Sequence, residues 1–269
     1  MLNLSNILCQ VESVNPPHIW WCPTGPLAFL PIHAAGLYNQ DGVGEKVSDY
    51  VVSSYTPTLT AILEQKRTMG DSFHLLTVAL PSTPYASSLP CTKDEIGRIQ
   101  SLATGVSLVE LMDETATVER VVNEMKASDW IHLACHGEQV IDNAMTSGLL
   151  LHDKKLELSE MIRMSLPRAD FAFLSACQTA TGDESVAEES VHLASGMLFA
   201  GYRGLIATMW SINDKDAPQV AEDVYERILK DGKPNRKEAA RALHEAVKRL
   251  RENSRGDLLS WVPFIHMGC

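Results

Sequence analysis

From about residue 73 the chain alternates short apolar runs with longer amphipathic segments, and this alternation restricts what it can fold into. The spacing predicts strands over 74–80, 106–112, 129–136, 170–177 and 204–210, with a short one over 148–151. Helices are expected between them over 92–102, 117–126, 156–164 and 188–200. Two more follow over 216–230 and 235–252, and a last strand over 261–267. Runs such as Phe171-Ala172-Phe173-Leu174 and Leu205-Ile206-Ala207 are apolar at successive positions, so both faces of those strands need cover. The expected class is α/β, a mainly parallel sheet flanked by helices on both faces. Before residue 73 the pattern is less regular. Strands are expected at 19–22 and 49–55 and a helix at 58–69, with a Gly- and Pro-rich stretch over 24–48. Residues 1–72 are therefore expected to be a small subdomain or an extension of the sheet, and 73–269 the core.

Composition narrows the function. The 269 residues carry a net charge of −11, which is unsuited to nucleic acid or an anionic membrane surface. No run approaches the roughly 18 apolar residues of a membrane span. The start, Met1-Leu2-Asn3-Leu4-Ser5-Asn6-Ile7, has no basic leader and reads as no signal peptide. The six cysteines include no C-x-x-C pair, and several lie in apolar runs, as reduced core thiols do. A cytoplasmic protein without disulfides is expected.

Two of the predicted strands end in reactive side chains. One is Trp130-Ile131-His132-Leu133-Ala134-Cys135-His136-Gly137, the other Asp170-Phe171-Ala172-Phe173-Leu174-Ser175-Ala176-Cys177. In a parallel sheet both ends fall on the carboxyl edge, where ligands bind. Neighbouring strands lie about 4.8 Å apart, so an imidazole and a thiol can meet. A thiol becomes a strong nucleophile when a base deprotonates it, and the same imidazole can protonate a leaving amine. The amides of Gly137 and Cys177 are the natural donors to a tetrahedral oxyanion. The competing reading makes Cys177 a core thiol and His136 a structural strand end.

Other patterns carry less. His132 and His136 are four apart, as in a zinc helix, but the intervening glutamate is missing and the segment reads as a strand. No metal and no cofactor are expected. His33 reads as a hydrogen-bonded structural histidine. Asp214 and Asp216 read as helix-start residues, with specificity as the other option for Asp214. Met197 and Phe199 read as core.

The ordered set of motifs resembles the CHAT domain, a caspase-like module related to separase among cysteine peptidases. The residues carrying it are Trp21-Cys22-Pro23-Thr24-Gly25-Pro26-Leu27 with Leu30-Pro31-Ile32-His33-Ala34-Ala35-Gly36, and His132-Leu133-Ala134-Cys135-His136-Gly137. They continue with Phe173-Leu174-Ser175-Ala176-Cys177-Gln178-Thr179 and Gly201-Tyr202-Arg203-Gly204-Leu205-Ile206-Ala207-Thr208-Met209-Trp210-Ser211. The resemblance implies a caspase-like fold with His136 as general acid/base and Cys177 as nucleophile, acting on protein or peptide substrates. It implies a cysteine endopeptidase active in signalling or regulated cell death; the alternatives are a catalytically silent interaction module, or a cysteine hydrolase or acyltransferase using the same residues on a small thioester or ester. Relatives commonly follow tetratricopeptide-type repeats, so the chain is expected to be a catalytic fragment with a regulatory helical-repeat region, or a member whose regulator is a separate partner. Some caspase-like peptidases use calcium.

The resemblance also bears on specificity. Separase has an aspartate directly after the tryptophan matching Trp210, where this chain has Ser211. Asp214 is then the candidate for binding a basic residue, with Trp210 and Ser211 beside it. A preference for aspartate needs a buried arginine, and Arg203 is the one near these motifs. The stretch 179–190 contains Asp183, Glu184, Glu188 and Glu189 but no Lys or Arg. An enzyme selective for basic residues is expected to work uncut there, leaving Lys154-Lys155 as the alternative cleavage point.

Overall fold

A computed structural model describes residues 16–38, 46–63, 72–83, 86–138, 140, 143–175, 177–178, 187–254 and 256–269. Two strands come first, β1 (His18–Trp21) and β2 (Val52–Tyr55), separated by short 3-10 turns at Gly25–Phe29, Ile32–Ala34 and Val47–Asp49. The regular alternation then follows: β3 (His74–Ala79), α1 (Thr92–Leu102), β4 (Ser107–Met112), α2 (Val118–Ala127) and β5 (Trp130–Ala134). Next come β6 (His136–Glu138), β7 (Gly148–Leu150), β8 (Lys155–Glu157), α3 (Leu158–Arg163), β9 (Phe171–Leu174) and β10 (Cys177–Gln178). The chain continues through α4 (Ala187–Ala200), β11 (Gly204–Thr208), α5 (Ala217–Ile228), α6 (Ala239–Asn253), α7 (Leu258–Trp261) and β12 (Phe264–Gly268).

Eight strands form the main sheet in the order β1-β2-β12-β11-β9-β5-β3-β4. From β11 to β4 the pairings are parallel, whereas β12 runs antiparallel to β11 and carries β2 and β1 in its own direction. Period-two alternation sorts the side chains. Ile131, Leu133, Ala172, Leu174, Leu205 and Ala207 pack on one face under α2, α3 and α4. Trp130, Phe171, Phe173 and Ile206 pack on the other under α1, α5 and α6. The mainly parallel sheet with helices on both faces is thus as expected.

Several local expectations change. Residues 58–69 do not read as one helix: Leu59–Ile62 is a 3-10 turn capped by the Thr58 hydroxyl, and 64–71 lie outside the described residues. The helix expected from 156 starts at Leu158, because Lys155–Glu157 pairs with β7 instead. Met197 is core, but Phe199, on the same helix, is 64% exposed.

The reactive strands also differ. They do not run unbroken to His136 and Cys177. β5 stops at Ala134 and β9 at Leu174, and each chain then enters a second, four-stranded sheet of order β10-β6-β7-β8. The interruption was hidden because Cys135 is apolar and fully buried, so it prolongs the apolar run.

Candidate active site

His136 and Cys177 each open a strand of the small sheet. β6 and β10 pair in parallel, with His136 opposite Cys177 and Gly137 opposite Gln178. Cα partners on adjacent strands are about 5 Å apart. On its other edge β6 pairs antiparallel with β7, which sets Gly137 against Leu149. The two residues singled out by sequence are therefore brought together by backbone register.

His136 is only 2% exposed. Its Nε2 lies 2.6 Å from the Ser87 carbonyl oxygen. A carbonyl only accepts, so this bond places the proton on Nε2 and, in the neutral ring, leaves a lone pair on Nδ1. Nδ1 is buried and has no hydrogen-bond partner among the described residues. A base with a fixed tautomer and an available nitrogen is what general acid/base chemistry needs. Ser87 sits in the connection from β3 to α1, folded back by Leu89 N–H to Pro81 O at 2.9 Å and Ser88 Oγ to Pro81 O at 3.1 Å. Sequence reasoning had no means of finding it, since every residue carries a carbonyl.

Gly137 has room for a side chain. A Cβ there would meet Leu193 Cδ2 at 3.7 Å and Gly148 O at 3.9 Å, ordinary contacts. The fold itself does not demand glycine at this point.

Beyond β11, Trp210 is half-buried and Ser211 exposed. Trp210 Nε1 is buried without a hydrogen-bond partner among the described residues. Asp214 is half-buried, and its Oδ2 accepts from the Cys91 N–H at 2.9 Å. It therefore satisfies an open amide at the start of α1, a different helix from the one that follows it in sequence. Asp214 also raises the Cys91 thiol pKa, first by hydrogen bonding.

Behind the pair lies a buried polar cluster. His132 Nε2 is 3.0 Å from Glu95 Oε1, and Ser175 Oγ donates to Glu95 Oε2 at 3.2 Å. The Tyr225 hydroxyl pKa is pushed well up, by burial and then by the Glu95 charge.

Other candidates fall elsewhere. Arg203 precedes β11 at the amino edge, 3.8 Å from Asp170 and at the opposite end of the sheet from the pair, so it cannot serve an acidic substrate residue there. His33 is buried between Tyr55 and Val262, with Nδ1 2.8 Å from the Tyr55 hydroxyl and Nε2 2.9 Å from Val262 O. A cavity of about 370 Å³ is lined by Tyr55, Pro57, Ile162, Phe199 and Met209, and His136 is not among its described lining residues. Residues 179–186, and with them most of the stretch expected to stay uncut, lie outside the described residues. Lys154 ends the turn between β7 and β8 and Lys155 opens β8, with its Nζ 3.1 Å from Glu138.

The family model described as the CHAT domain matches residues 3–269. No curated protein matches the chain. Among solved structures, the Arg-specific cysteine proteinase gingipain R aligns over 81% of this chain and 54% of its own, at 12% identity and a TM-score of 0.51. The complex of its pro- and mature domains from Porphyromonas gingivalis aligns over 87% and 58%, at 12% identity and 0.52. The Saccharomyces cerevisiae separase–securin complex aligns over 82% and 14%, at 13% identity and 0.55. The chain thus spans a little over half of the gingipain chains and a small part of the separase chain. What it shares with them is the caspase-like fold.

Proposed function

The chain belongs to the CHAT domain family, and from that premise we propose that it is a cysteine endopeptidase working through a His136–Cys177 dyad. The observation that carries this reading is the parallel register that makes His136 and Cys177 direct partners. His136 Nδ1 takes the thiol proton, and the thiolate attacks the scissile carbonyl carbon. The amides of Gly137 and Cys177 stabilise the resulting oxyanion. His136 then gives the proton to the leaving amine. Water attacks the acyl-enzyme with His136 again as base, releasing the acid and restoring the thiol.

We place Trp210, Ser211 and Asp214 along the substrate channel, with Asp214 as the acid for a basic residue before the scissile bond. Gingipain R, of the same fold, is Arg-specific, and the net charge of −11 favours a basic peptide. The proposed setting is the cytoplasm, with a few protein targets in signalling or regulated cell death and a helical-repeat protein as regulator. Among the described residues no helix is long and apolar enough to cross a membrane.

The test is digestion of a peptide library, read by mass spectrometry, with wild type against Cys177→Ala. Cuts made by wild type alone, clustered after Lys or Arg, are expected. Identical products from both proteins would leave a CHAT fold that binds without cleaving.

A further inference from the structure

The two strands leading to the reactive pair are bridged, where they end, by one side chain from the helix packed against them. Glu95, in the first turn of α1, is 1% exposed and holds His132 at 3.0 Å and Ser175 at 3.2 Å. His132 lies on β5, four residues before His136. Ser175 follows β9, two residues before Cys177. His132 is 0% and Ser175 4% exposed. Around them Ile96 and Ile99 from α1 and Phe173 from β9 are all buried, and the Tyr225 ring lies 5.6 Å from that of His132. A buried carboxylate, imidazole and hydroxyl are a poor stabilising device in such a layer, because apolar groups of similar volume pack without their desolvation cost. Their position suggests another use. They tie Ser175, the first residue past the β5–β9 backbone pairing, back to His132 on β5, just before the chain passes to β6 and β10.

We infer that Glu95 is a positioning residue, whose two hydrogen bonds tie Ser175, just past the last backbone pair of β5 and β9, to His132 on β5 and thereby hold His136 in register with Cys177. The inference rests on the dyad proposed above and adds a support to it. The anchoring of α1 fits the same role. Asp214 holds the start of the helix, and the connection just before it presents the Ser87 carbonyl to His136.

The test reads register directly, in the full chain and without relying on turnover. His136→Cys places a second thiol opposite Cys177, at a separation suited to a disulfide. Under oxidised glutathione, the initial rate of the bond between position 136 and Cys177 is followed by peptide mass spectrometry. Adding Glu95→Gln removes the carboxylate charge that strengthens both bonds and turns one of its two acceptors into a donor, so the tie between the strands weakens. The bond is expected to form roughly 10-fold more slowly, in line with the sensitivity of reacting groups to small displacements. Equal rates overturn the inference. Ile99→Val, in the same helix and fully buried, loosens packing without touching the cluster and is expected to keep the parent rate. If it slows trapping as much as Glu95→Gln, the effect is general loosening and the inference falls. Should Glu95→Gln fail to fold, Ser175→Ala removes one bond alone and is read in the same way.

In the chain with His136 intact, Glu95→Gln is expected to lower kcat by about 10-fold with KM within about twofold. A wild type without Cys177-dependent cleavage would sink the peptidase reading, and the trapping rates would still decide the role of Glu95.

Discussion

At the scale of single residues, chemistry and fold place different demands on neighbouring positions. Gly137 illustrates this, because its surroundings accept a methyl group. Gly137→Ala is expected to leave Tm within about 2 °C of wild type. Turnover should nevertheless fall by about 10-fold or more if a substrate approaches the 137 amide. Calorimetry beside peptide hydrolysis separates the two; a normal kcat would remove Gly137 from the proposed oxyanion site. The pairing of His136 with Cys177 was legible because a reactive side chain closing an apolar run is conspicuous. Glu95 was not. In sequence it is one acid in the first turn of a helix, where the dipole alone accounts for it. Only the packing of that helix over β5 and β9 shows that it is buried.

At the scale of elements, α1 joins several parts of the site. The Cys91 amide, just before its first residue, is satisfied by Asp214 from the stretch after β11. Asp214→Ala should therefore destabilise the protein by about 1 kcal/mol through loss of that cap, whatever it does to specificity. Denaturant unfolding measures the first effect and the peptide library the second. Unchanged stability would show the cap to be dispensable. An unchanged residue preference would take Asp214 out of the pocket. Strands and helices after residue 73 were legible because each satisfies its own period over a full turn or more. The β7–β8 hairpin and the breaks after β5 and β9 were not. Lys155–Glu157 is too short and too polar to register as a strand, and Ser175 is small enough to pass within an apolar run. The grouping of strands into two sheets depends on pairing between distant segments, which no local pattern encodes.

At the scale of the whole molecule, the last strand pairs with the second. β12 lies between β2 and β11, and histidines gather around this join. His18 Nε2 is 2.6 Å from Ser54 Oγ, which is 2.7 Å from His266 Nδ1. Burial is the main cause lowering the pKa of His33 to about 4 and of His266 to about 3. Nearby His18 and Arg236 add to it at His266. The sign follows from linkage. Both rings fold neutral, and the unfolded chain takes up protons below about pH 6.5, so stability is full above that pH and is lost as pH falls toward the folded values. Between pH 7 and 5 the two are expected to cost about 2–4 kcal/mol, lowering Tm by about 5–10 °C. A Tm that stays flat across this interval in calorimetry would contradict the burial of neutral rings.

The place of β12 also has a consequence during synthesis. A nascent chain that has released everything up to residue 263 presents β2 and β11 with no strand between them. The early strands must wait, beside an assembled parallel half, until the segment 264–268 emerges from the ribosome. Chaperone capture is then expected to fall on that waiting interval, and the domain becomes whole only in a final step.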